Sequence, residues 1–199
     1  MRVIDADEAR MIDLPGVGPC PRPVDIDQGI TGFKRLKSLR IYRFRPGPAV
    51  HGDSEADEVL ILPLSGAFDM MIGGPNAAQA TLTSAGPLRA MYMTPQHSYL
   101  LTPRNPVMVA YARAEAAGAV PSQALAGTAS RGLAEHLWYR FERLGADLEV
   151  VGEALVHVIR GAVEGAEVVA REGQTLALGA GEVATVRAIA LAEVLIIGV

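Results

Sequence analysis

Glu58-Val59-Leu60-Ile61-Leu62-Pro63-Leu64-Ser65-Gly66-Ala67-Phe68-Asp69 and Glu153-Ala154-Leu155-Val156-His157-Val158-Ile159-Arg160-Gly161-Ala162-Val163-Glu164 carry one pattern twice. Each begins with an acid, runs through seven mostly apolar residues to a glycine, and restarts with a small residue. Tyr42-Arg43-Phe44 stands sixteen residues before the first glutamate, and Tyr139-Arg140-Phe141 stands fourteen before the second. Met93-Thr94-Pro95-Gln96 and the apolar run Val107 to Tyr111 are echoed by Leu178-Gly179-Ala180-Gly181 and Val194 to Ile197. A sequence that repeats itself in this way encodes a duplicated structural unit.

Working outward from Glu58, the chain is a series of short apolar segments: Leu39 to Phe44, Val59 to Leu64, Phe68 to Ile72, Ala80 to Thr83, Met91 to Met93, Ser98 to Thr102 and Val107 to Tyr111. Turn chemistry separates them, as in Arg45-Pro46-Gly47-Pro48 and Gly73-Gly74-Pro75-Asn76. This spacing predicts an all-β sandwich or barrel. Gly73-Gly74 and Gly179-Ala180-Gly181 read as hairpin turns, because no strand-to-helix context for nucleotide binding surrounds them. Residues 1–31 contain Pro15-Gly16-Val17-Gly18-Pro19-Cys20-Pro21-Arg22-Pro23, which reads as an extended arm. A first barrel is expected over 32–116, a low-information linker over 117–131, and a second, shorter barrel over 132–199. Ser130 to Gly145 fits an amphipathic helix by its apolar spacing and a strand by its alternation, and the repeat favours the strand.

The 199 residues include 18 Lys+Arg and 22 Asp+Glu, a formal charge of −4, and half of them are hydrophobic. That excludes disorder and gives ample material for a core. The scattered cations offer no phosphate-binding surface, so no nucleic-acid partner is expected. Cys20 is the sole cysteine, which excludes an intramolecular disulfide or a cysteine-based zinc site and fits a reducing, cytoplasmic location. No apolar stretch approaches the ~20 residues of a membrane helix, and the acidic N-terminus does not read as a signal or transit peptide.

A Pro-Gly turn, a cluster with His and Glu, an apolar strand closing on Gly and a later Pro turn together resemble the two cupin motifs. The chain resembles a bicupin, two tandem double-stranded β-helix (jelly-roll) barrels. Gly32-Phe33, Ile41-Tyr42-Arg43-Phe44, Gly47, Glu58 through Gly66, and Gly86-Pro87 through Pro95 are similar to the N-terminal half of the 5-deoxy-glucuronate isomerase family and related uronate isomerases. The resemblance implies descent from sugar-acid isomerisation and, if the protein is an enzyme, aldose–ketose isomerisation. Family members hold a metal in the second barrel through a His-rich cluster. Here the equivalent stretch, Phe141 to Val156, contains Glu142, Asp147, Glu149 and Glu153 and no His. No metal or other cofactor is therefore expected there.

In the first half, His51-Gly52-Asp53 with Glu58 imitates the cupin metal motif, and the i, i+2 spacing puts His51 and Asp53 on one side of a strand. A divalent metal at His51, Asp53 and Glu58 is one reading; a solvated acidic loop at a pocket edge is the other. His97, on a turn, is a ligand-contact candidate together with His51 and Asp53. Glu58 and Glu153 stand at the mouths of apolar strands, where an inward carboxylate would be a candidate general base. Backbone hydrogen bonding is the competing role for both. His157, four residues after Glu153, would complete an acid/base pair inside a small barrel; a buried His satisfied by one partner is the alternative. His136 borders the linker, with no specific role expected. Met70-Met71 and Met91-Tyr92-Met93 fit an adaptable pocket or plain core. A small carbohydrate-like ligand is expected under the isomerase reading. The alternative is a non-catalytic binding or assembly protein with metal-free barrels filled by their own side chains. Exposed strand edges point in either case to a homo-oligomer, a dimer.

Overall fold

The structure is a computed structural model and describes residues 1–74, 77–118, 120–130, 136–189 and 191–199. Among the described residues a single four-residue helix, Gln28–Thr31, interrupts a succession of strands. No described helix is long and apolar enough to cross a membrane. Trp138–Leu144 is a strand, paired along its whole length with Ala192–Gly198. Periodicity left that segment undecided, and the sheet ladder decides it; residues 131–135 of the same segment lie outside the described residues.

Two sheets make each half. The inner sheet of the first half orders its strands Gln123–Ala126, Leu88–Met93, Asp57–Ser65, Val107–Glu115, Leu36–Phe44 and Val24–Asp27. Its outer sheet orders Val50–Asp53, Ser98–Pro103, Ala67–Gly73 and Ala78–Thr83. The second half repeats both: Arg2–Ile4, Thr175–Leu178, Ala154–Arg160, Ala192–Gly198 and Trp138–Leu144 inside, and Leu148–Val151, Val183–Ala188, Ala162–Gly165 and Val168–Arg171 outside. Every pairing is antiparallel.

The flanking segments do not respect the sequence boundaries expected at 31, 116 and 131. Arg2–Ile4, from the presumed arm, pairs with Thr175–Leu178 of the second half. Gln123–Ala126, from the presumed linker, pairs with Leu88–Met93 of the first. Each half thus receives a strand from the segment that leads into the other half. The rest of the arm forms a hairpin, Met11–Leu14 with Gly18–Pro21, and an edge strand, Val24–Asp27, on Leu36–Phe44. Pro15, Pro19 and Pro21 sit on this two-stranded hairpin, where a missing N–H breaks no interior ladder.

Three cores result from strand alternation. On Asp57–Ser65, Val59 and Ile61 point into the first barrel, among Phe68, Met70, Met91 and Val109, while Leu60, Leu62 and Leu64 point to the layer between the inner sheets. On Ala154–Arg160, Val156 and Val158 fill the second barrel and Leu155 faces the shared layer. The equivalence therefore runs Glu58 with Glu153, Leu60 with Leu155, Leu62 with His157 and Leu64 with Ile159. Gly66 and Gly161 close the two strands at φ of 72° and 81°, and a Cβ on either would lie 2.4 Å from a backbone oxygen. That close approach explains the glycine that ends both copies of the motif.

Candidate functional site

The side chains of the imitated metal motif do not converge on the interior of the first barrel. Val50 is in the barrel core, so alternation turns His51 and Asp53 to the solvent side, where both are exposed. Gly52 faces inward, and the place of its absent side chain is taken by Tyr99, whose hydroxyl oxygen lies 2.4 Å from where a Cβ would stand. Tyr99, Tyr111, Tyr42 and Phe44 continue as a chain of ring contacts with centroid separations of 6.3, 6.5 and 5.5 Å. Burial pushes the Tyr99 and Tyr111 phenols up, Tyr111 to about 12, so both stay neutral. Of the two readings of this stretch, the structure fits the solvated loop: His51 and Asp53 are outside and Glu58 lies in the layer between the sheets. Among the described residues no three His, Cys, Asp or Glu side chains group as metal ligands.

Glu58 is fully buried, and its carboxylate accepts from Ala117 N (2.9 Å), Leu137 N (2.8 Å) and His136 Nδ1 (2.6 Å). Glu153 accepts from Lys34 N (2.6 Å), Arg35 N (2.8 Å) and Leu36 N (3.0 Å). Burial raises the Glu153 pKa, but the three N–H donors and the Arg35 charge outweigh it and hold the carboxyl below its ordinary value. Leu137 precedes the inner strand Trp138–Leu144 of the second half, and Lys34 to Leu36 lead into the inner strand Leu36–Phe44 of the first. Each glutamate therefore clamps the entry of the opposite half. Both carboxylates are taken up by fixed donors, mostly backbone N–H groups, which is the backbone role that the sequence set beside that of a general base. His136, given no role from sequence, is part of the Glu58 clamp. The phenol of Tyr92, buried in the same layer, is pushed up first by burial and then by the Glu58 charge.

His157 does not pair with Glu153. Its Nδ1 lies 3.1 Å from Thr175 Oγ1, its cross-strand neighbour, and burial pushes its pKa down to about 4. His97 is buried as well. Its N–H donates to Ser54 Oγ, its carbonyl accepts from Ser54 N, and its Nδ1 is 2.9 Å from Pro95 O, so it locks two turns together. Met70 is core and Met71 is half exposed.

Open volume lies outside the barrels. One cavity of about 680 Å³ runs beneath the N-terminal hairpin, walled by Met11, Phe44 and several prolines, with Cys20 in its wall. The Cys20 thiol is buried, contacts the carbonyls of Pro21 and Arg43, and is raised by desolvation. A second cavity, of about 340 Å³, lies between the halves. Its wall is aliphatic, from Val24, Ile41, Leu64, Met108 and Ile159, with His157 among them; Arg43, Glu8, Ser65 and Glu172 supply the other polar groups. Arg43 closes on Glu8 through both nitrogens of its fork. Sequence reasoning found His157 and missed the other polar groups, which come from an ordinary strand, a turn of the arm and a distant hairpin.

The architecture is that of the cupin fold. Ylba from Escherichia coli superposes with a TM-score of 0.77 at 10% identity, over 98% of this chain and 89% of that one. A bacterial pirin from the same organism, YhhW in complex with nickel(II), gives 0.70 at 12% identity over 98% and 97%. An IolB-like protein from Salmonella typhimurium gives 0.64 at 11% identity, covering 88% of each chain. No protein-family model matches the sequence. No curated protein matches it either.

Proposed function

We propose that this chain is a tandem cupin that acts as a non-catalytic binding protein, its barrels serving as filled scaffolds. The observation that carries the reading is the Tyr99 ring packed into the space left by Gly52, on the strand where His51 and Asp53 turn outward. The use of Glu58 and Glu153 as clamps supports it, since neither carboxylate is left to take a proton from a substrate. Descent from the sugar-acid isomerases is supported by the residues quoted above.

The test is elemental analysis of protein purified without chelator or nickel resin, with thermal shifts under added Mn, Fe, Ni and Zn and an isomerase assay on 5-deoxy-glucuronate. We expect substoichiometric metal, no shift specific to one ion and no turnover. Near-stoichiometric metal that His51→Ala removes, or turnover that Glu153→Gln abolishes in a folded protein, overturns the proposal.

A further inference from the structure

We infer that the cleft between the two halves is a ligand site that takes a small apolar alcohol or phenol, held through His157; this rests on the binding-protein reading above. Four observations lead there. The internal repeat supplies the first: the position equivalent to His157 is Leu62, which packs in the same inter-sheet layer with no polar group. The fold therefore has an apolar solution at this place, and the second half carries a buried imidazole instead. A buried polar side chain that packing does not require points to a function.

The second observation is the hydrogen bonding of the ring. Nδ1 is used by Thr175, and among the described residues Nε2 has no partner. His157 is 4% exposed and is nevertheless part of the cavity wall. The third is the composition of the wall. Val24, Ile41, Leu64, Met108 and Ile159 supply the apolar part of the wall, which suits a ligand with an apolar body. Arg43 is already closed on Glu8, and Glu172 adds a second acid at the cleft, so an anion meets no free cation there.

The fourth is the tautomer. The Thr175 hydroxyl can donate to Nδ1 or accept from it, so Nε2 presents either an N–H or a lone pair. A ligand hydroxyl, which both donates and accepts, suits either form. Burial keeps the ring neutral at physiological pH, which favours an uncharged partner. At about 340 Å³ the cleft stands within the range of small-molecule sites.

Phenol is the probe, with benzoate and glucuronate as controls. The full chain is labelled with ¹⁵N-histidine and titrated while the ring nitrogens of His157 are followed by NMR. We expect a saturable shift of Nε2 with phenol, binding at least tenfold weaker for benzoate, and none for glucuronate. His157→Leu restores the residue of the first half and should keep the fold while weakening phenol about tenfold, the worth of one lost hydrogen bond. Ile159→Phe, which fills the cleft and leaves the imidazole in place, should also weaken it. Phenol that leaves the His157 nitrogens unmoved, or binds both variants as it binds the parent, overturns the inference. The two proposals fail separately: bound metal or isomerase turnover overturns the non-catalytic reading without moving His157, and an unmoved His157 overturns the cleft alone.

Discussion

Glu153→Ala lowers the stability of the chain by about 3 kcal/mol, a fall in Tm of roughly 6–12 °C for a protein of this size. The carboxylate takes the N–H groups of Lys34, Arg35 and Leu36 at 2.6–3.0 Å, and alanine leaves all three without an acceptor at the junction of the two halves. Hydrogen bonds to a charged group contribute more than neutral ones, and an abandoned buried donor bears its full desolvation cost. Glu58→Ala should act in the same direction, since it frees Ala117 N, Leu137 N and His136 together. The sign with pH follows from the lowered Glu153 pKa: its contribution is complete above the ordinary carboxylate range and is lost as pH falls through the depressed folded value. Equilibrium denaturation of the variant checks this. An unchanged midpoint would refute the clamp and return Glu153 to the pool of available bases.

His157→Leu has its largest effect in acid. The imidazole titrates near pH 6.5 in the unfolded chain and is pushed down to about 4 by burial, so below pH 6.5 the unfolded chain gains a proton that the folded chain refuses. Stability therefore falls as pH drops from about 6.5 to 4, at up to 1.4 kcal/mol per pH unit, for a loss of about 3 kcal/mol. The leucine variant lacks this slope. Near pH 7 the exchange should change stability by less than about 1.5 kcal/mol, because leucine already occupies the equivalent position of the first half. Denaturant midpoints measured for both proteins at pH 4.5 and 7 test the claim. Parallel acid profiles would mean that the ring is hydrated in the folded state.

The fold was legible because its signal is periodic and doubled. The Glu-to-Gly motif marked both central strands, and the same repeat chose strand over helix for Trp138–Leu144, where spacing alone gave two answers. The site was less legible, for a physical reason visible at Glu58. Its strand is buried on both faces, so Val59 and Ile61 look in sequence like Leu60 and Leu62, and alternation, which sets Glu58 on the side of Leu60 and Leu62, cannot say which side looks into the barrel. His51 was decidable in principle, because apolar Val50 beside it claims the inward position. His136 was not, since its partner lies 78 residues away along the chain. Arg2-Val3-Ile4 is likewise too short to announce that it completes a sheet of the far half.

That exchange of flanking strands makes the chain resemble a domain-swapped dimer whose two subunits have been joined end to end. Neither half owns a complete inner sheet: a gene segment ending near residue 118 would encode a unit lacking Gln123–Ala126, and its complement would lack Arg2–Ile4. The halves are thus one cooperative body, and melting of either takes from the other both a strand and the backbone segment that its glutamate holds. Such mutual dependence ties each copy to the other, and His157 stands on the face where the two meet.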